Sequence, residues 1–195
     1  MKLAHLFEDS GNFNEREPRW VDDRLIRGGR PLNPSAIEQL KHMGVDTVIC
    51  FLKPHRVYPA QISGVADERK AVEEAGMKFI NIPMEERTGP SDADIQSFLD
   101  AVKNGGAVYA HCSAGRDRVG LMTAIYDVEV RHRSYAQAYE DYIRGGHDYH
   151  SWPNLDRFFY NWYEKHHGEA DPLAVLKKVL PGESEAEALA DYVTS

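Results

Sequence analysis

The chain has 195 residues, 42% of them hydrophobic and 28% charged. These proportions suit a folded domain with one substantial core and exclude wholesale disorder, a fibrous repeat or two large domains. The net charge of −8 and mean hydropathy of −0.54 describe a wet, acidic surface, which argues against broad nucleic-acid binding because that requires a basic face. No stretch approaches the ~18 apolar residues of a membrane span, and the first ten residues lack an apolar leader core, so a cytoplasmic protein without a membrane span is expected. Cys50 and Cys112 are the two cysteines, too few for a disulfide framework or a cysteine-rich zinc site.

Residues 1–20 show no periodicity and contain Gly11, Asn12, Asn14 and Pro18, which predicts a surface arm. A single domain over 21–180 follows. Asn33 and Pro34 supply an N-cap and a first-turn proline, Ile37, Leu40 and Met43 fall at helical spacing, and Gly44 suits the stop. Val45–Leu52 reads as a buried strand, Val65–Ala75 as a helix closed by Gly76, and Lys78–Ile82 as a second strand. Ser91 and Asp94 have capping-box spacing ahead of the stripe Ile95, Phe98, Leu99 and Val102. Ala107–Ala110 is strand-like and Val119–Tyr126 is apolar almost all round, as a helix buried on most sides would be. Further helices are predicted at Tyr135–Ile143, at Leu155–His166 with its aromatic stripe, and at Leu173–Leu180. The acidic, small-residue segment 181–195 reads as a mobile tail. Strands alternating with helices predict a three-layer α/β domain with a mostly parallel sheet, whose ligands sit at the carboxyl ends of the strands, where residues 111–118 fall.

That segment, His111-Cys112-Ser113-Ala114-Gly115-Arg116-Asp117-Arg118-Val119-Gly120, places a cysteine and an arginine six positions apart between a strand and a helix. It has the makings of an anion trap. Backbone N–H groups of a tight loop over Ser113, Ala114, Gly115, Arg116 and Asp117 converge, the next helix adds its positive end, and the Arg118 fork grips two phosphate oxygens. The same field favours thiolate over thiol at Cys112, and a thiolate beneath a bound phosphate is an in-line nucleophile. An inert buried cysteine leaves the surrounding glycine and arginine pattern unexplained. Adjacent His111 and Cys112 point different ways, so no metal site is expected.

His-Cys-x5-Arg resembles the signature of the cysteine-dependent protein tyrosine phosphatase superfamily, and residues 22–165 are laid out like its compact dual-specificity branch. Arg27-Gly28-Gly29-Arg30-Pro31 resembles the family's opening strand and turn, and Phe79-Ile80-Asn81-Ile82-Pro83-Met84 the strand leading to its acid loop. The resemblance implies a two-step reaction without metal or cofactor, in which Cys112 takes the phosphoryl group from a phosphorylated protein or small phosphoester and water then releases it. It also implies that His111 packs beneath the loop and orients Cys112. In some relatives a cysteine placed like Cys50 pairs reversibly with the nucleophile; a buried, inert Cys50 is the plainer alternative.

Two positions depart from the family pattern. Where the family places an aspartic acid as proton donor, this chain has Glu85-Glu86-Arg87, and Glu86 falls at the donor's place; Glu85, Asp92, Asp94 and Asp117 are the alternatives. Directly after Arg118 the family commonly has Ser or Thr, whereas Val119 cannot donate a hydrogen bond to the departing sulfur, so slow breakdown of the phosphocysteine is expected. Lys53, His55, Arg56 and Arg87 are candidate rim charges. Two functions fit: a phosphatase for phosphotyrosine-like esters, extending to phosphoserine, phosphothreonine or inositol phosphates, and a phosphate-binding pseudophosphatase or interaction module with little turnover. Intact Cys112 and Arg118 favour the first.

Overall fold

The computed structural model describes residues 17–85 and 87–195. Backbone contacts divide the chain into two compact units, one running to Glu85 and resuming over Pro90–Val119, the other made essentially of Gly120–Ser195; the sequence reading expects one domain over 21–180. The first unit holds a five-stranded sheet in the order β1-β2-β5-β3-β4. Its strands are β1 (Arg19–Trp20), β2 (Leu25–Gly28), β3 (Val45–Cys50), β4 (Lys78–Asn81) and β5 (Ala107–His111). All neighbours are parallel except β1 against β2. Most of the expected arm lies outside the described residues; its last part, Arg19–Trp20, is an edge strand instead.

Side chains alternate across a strand, so the sheet has two distinct faces. Ile26, Val48, Cys50, Phe79 and Tyr109 join one core cluster with Ile37 and Leu40 of α1 (Pro34–His42) and Val65 and Val72 of α2 (Val65–Glu74). On the other face, Phe51 meets Phe98 of α3 (Asp92–Asn104) edge-on at 5.8 Å between ring centres. Helices therefore cover both faces of this sheet, the layering expected of its βα alternation. Local chemistry sets the helix starts. Asn33 accepts from Ala36 N at 3.1 Å, and Ser91 and Asp94 complete the capping box of α3.

The parallel strands finish level, with Gly28 and Cys50 both in register with His111, and Asn81 with Cys50. The 112–116 loop rises from this edge and leads into α4 (Asp117–Glu129).

The second unit contains α5 (Tyr135–Arg144), α6 (Pro153–His167), α7 (Pro172–Val179) and α8 (Glu183–Thr194). Its core is aromatic, with Tyr135, Tyr139 and Trp162 arranged around Phe159. Buried Asp156 accepts from the Tyr139 hydroxyl at 2.9 Å and stands 2.8 Å from His147 Nε2. The tail predicted to be mobile is a helix. Ala186, Leu189, Ala190 and Val193 of α8 are buried, and the Arg157 guanidinium donates to Tyr192 O while stacking on the Tyr192 ring at 3.9 Å. Its acidic residues occupy the solvent face, where Glu183 and Glu187 pair with Lys177.

Candidate active site

Every loop carbonyl for which a partner is described faces the scaffold. Phe51 N donates to His111 O at 2.9 Å and Arg30 N to Ser113 O at 3.0 Å. His111 Nδ1 lies 3.0 Å from Cys112 O, and Arg27 Nη2 donates to Gly115 O and Arg116 O at 2.9 and 3.2 Å. In a trans peptide the N–H points away from the C=O of the same plane. Holding these carbonyls outward therefore turns the N–H groups of Ser113, Ala114, Arg116 and Asp117 toward the loop's concave side, a nest that suits an anion.

Arg27 carries out this task from a strand whose four residues are all buried, and its side chain reaches the loop because Gly28 and His111 are in register. Gly115 closes the turn with φ +73°. A Cβ there would come within 2.6–2.8 Å of the Gly28 and Gly29 backbone, so both the left-handed conformation and the close approach require glycine. Tyr109, fully buried, fixes the other side of that contact by donating to Gly29 O at 2.5 Å. Burial, with Glu68 and Cys112 nearby, pushes the Tyr109 phenol well above its usual range, so it remains a donor.

Cys112, in the loop, and Arg118, in the first turn of α4, are both buried, at 2% and 5% exposure. Asp117 opens that helix, where its charge suits the positive end. The two cysteines are free thiols.

Beneath the loop, His111 stacks on Tyr109 and its Nε2 stands 2.6 Å from Glu68 Oε1, with both side chains fully buried. Cys50, in register with His111 on the same sheet face, completes the group. Burial acts to lower the His111 pKa, but Glu68 outweighs it and holds the ring well above its usual value. Burial, reinforced by Glu68, pushes the Cys50 thiol up against the opposing pull of His111. Cys50, Glu68 and His111 bring one donor atom each within 4.8 Å of the others. Two donors sharing a tetrahedral zinc ion stand about 3.3 Å apart, so 2.6 Å between Nε2 and Oε1 is the separation of a shared proton instead.

Glu86 lies outside the described residues. Glu85 is exposed and paired with Lys53. Asp94 is engaged by Ser91, accepting from its N at 3.0 Å and its hydroxyl at 2.6 Å. Of the expected rim, His55 and Arg56 are exposed on the loop after β3. That loop is anchored by Arg30, which donates to Ile62 O at 2.7 Å and stacks on Tyr58 at 4.0 Å. Glu68 escaped the sequence reading although it carried a signal: it occupies the stripe Val65, Glu68, Val72, whose members are all buried.

The model of a family described as Swiss Army Knife protein, DSP-PTPase phosphatase domain, matches residues 15–142. The chain belongs to this phosphatase-domain family. Among relatives of this DSP-PTPase domain, dual specificity protein phosphatase TpbA of Pseudomonas aeruginosa is 29% identical over 125 residues, which are 63% of this chain and 51% of TpbA. Human dual specificity protein phosphatase CDC14C is 28% identical over 122 residues, 60% of this chain and 26% of CDC14C. The chain thus spans about half of the first relative and a quarter of the second. A putative phosphatase from Shewanella putrefaciens has the same fold, with a TM-score of 0.62 and 24% identity over 80% of this chain and 98% of its own. Crystalline TpbA superposes at a TM-score of 0.62 and 19% identity, covering all of both chains, and TpbA has also been solved in complex with pTyr. The resemblance drawn from His-Cys-x5-Arg therefore holds, as does the mostly parallel α/β phosphatase fold. No helix among the described residues is long and apolar enough to cross a membrane.

Proposed function

We propose that the chain hydrolyses phosphate monoesters through a phosphocysteine, with phosphotyrosine in a protein or small ester as the first substrate class. The observation that carries this reading is the outward anchoring of successive loop carbonyls by Arg27, Arg30, His111 and Phe51. It leaves an anion nest around a buried thiol and Arg118. The pTyr complex of TpbA supports the substrate class, and phosphoserine, phosphothreonine and inositol phosphates carry the same dianion.

In the first step the Cys112 thiolate attacks phosphorus in line, the P–O ester bond breaks, and the leaving oxygen takes a proton from a carboxylic acid, for which Glu86 is the choice. Nest N–H groups and the Arg118 guanidinium hold the equatorial oxygens as charge redistributes. In the second step water attacks phosphorus, the P–S bond breaks, and phosphate and the cysteine are released. Val119 offers the departing sulfur no donor, so this step is the slower one. Neither step calls on a metal.

The test is hydrolysis of p-nitrophenyl phosphate by the purified protein in EDTA. Activity is expected to persist in EDTA with a pre-steady-state burst, to be blocked by orthovanadate, to vanish in Cys112→Ser, and to fall about 10²-fold in Glu86→Gln. A wild-type protein that binds phosphate or vanadate without turning over would overturn the reading in favour of a phosphate-binding pseudophosphatase.

A further inference from the structure

The ring of His111 lies between two oxygens. Nδ1 is 3.0 Å from the Cys112 carbonyl and Nε2 is 2.6 Å from the Glu68 carboxylate. A carbonyl and a carboxylate only accept, whereas a neutral imidazole has one N–H and one lone pair, so it would set a lone pair against one of the two oxygens. An imidazolium facing a carboxylate satisfies both contacts; a neutral ring does so only where Glu68 itself carries the proton, an arrangement disfavoured because Glu68 holds the His111 pKa up. The other groups that face the ring, Tyr109 below it and Cys50 beside it, are held as a phenol and a thiol by burial, so Glu68 is the counter-ion.

Stability alone is a poor reason for this arrangement. Glu68 and His111 are both fully shielded from water, and the second carboxylate oxygen, Oε2, accepts no hydrogen bond among the described residues. Burying an ion pair costs desolvation that apolar packing would avoid, and Val65 and Val72 show that this face of α2 is otherwise apolar. A carboxylate retained there has a task that a leucine could not perform.

We propose that Glu68 is a positioning residue for the nucleophile: its carboxylate holds His111 as a doubly donating imidazolium that pins the Cys112 carbonyl and places a positive charge beneath the loop. The ring lies between the Glu68 carboxylate and the Cys112 carbonyl, so the positive end of the pair rests against the backbone of the nucleophile and adds to the field that favours an anion in the loop. This inference rests on the phosphatase reading for its purpose but not for its geometry.

Two measurements test it. In ¹⁵N long-range NMR spectra of the wild-type protein at pH 7.5, both His111 ring nitrogens are expected to carry protons; a singly protonated ring, with the proton on Glu68 or absent, overturns the proposal. Glu68→Gln can turn its amide to donate to Nε2 and keep the ring in place, so it removes charge and spares geometry. Alkylation of Cys112 by iodoacetate at pH 6.5 is expected to slow about tenfold in this variant, with kcat reduced and KM for p-nitrophenyl phosphate within about twofold of wild type. Unchanged alkylation overturns the proposal, and if the variant does not fold, the wild-type ring spectrum decides alone. A wild-type protein that shows the imidazolium and the alkylation difference but hydrolyses no p-nitrophenyl phosphate would refute the phosphatase reading and leave the role of Glu68 intact.

Discussion

At the scale of single residues, the hollow depends as much on what is missing from Gly115 as on the charges of Arg27 and Arg118. Gly115→Ala would force a left-handed backbone on a residue with a Cβ and press that Cβ to within 2.6 Å of Gly28. We expect a loss of about 1–3 kcal/mol in urea unfolding and a much larger relative loss in p-nitrophenyl phosphate hydrolysis, because relief of the clash turns the Gly115 peptide away from Arg27. Full activity in the alanine variant would show that the loop has room to spare. Cys112, Arg118 and the loop between them are legible in the sequence as a candidate site, because the spacing of a cysteine, glycines and an arginine itself suggests the chemistry proposed for them. Arg27, Tyr109 and Glu68 were not assigned roles by it: each acts through a contact 43 to 88 positions away along the chain, and only strand register or the packing of α2 brings it there.

Elements were easier to read wherever a cap or an apolar stripe marked them. Asn33 opens α1 and the Ser91–Asp94 capping box opens α3, as expected, and the aromatic stripe of α6 is core. Segment 181–195 was misread because its acidic residues outnumber its large apolar ones. The apolar set Ala186, Leu189, Ala190 and Val193 nevertheless recurs at helical spacing, and small residues are enough when the helix packs closely on α6 and α7. Leu189→Ala is accordingly expected to cost about 2–3 kcal/mol in urea-induced unfolding. A change below about 0.5 kcal/mol, the level of an ordinary surface substitution, would return the segment to the status of a loose tail.

For the molecule as a whole, the net charge of −8 says little about the site, where the cationic groups Arg27, Arg118 and His111 are gathered within one unit and shielded from solvent. The buried group under the loop should nevertheless be visible in global stability. In the folded chain burial acts to lower the His111 pKa, but Glu68 outweighs it and holds the ring well above its ordinary 6.5. Above that ordinary value the unfolded chain releases a proton that the folded chain keeps, so folding binds a proton and each further rise in pH favours the unfolded state. The contribution is complete below about pH 6.5 and is lost as pH climbs through the raised folded value. Cys50, whose thiol is pushed above its ordinary 9.0 by burial, acts in the same direction at still higher pH. The urea midpoint is therefore expected to fall steadily between pH 6.5 and 9.0 in the wild-type protein and to be distinctly flatter in Glu68→Gln, where the counter-ion that raises the ring is gone. A wild-type midpoint that holds level or rises across this interval would mean that His111 is neutral in the folded protein, and the charge beneath the loop would have to come from elsewhere.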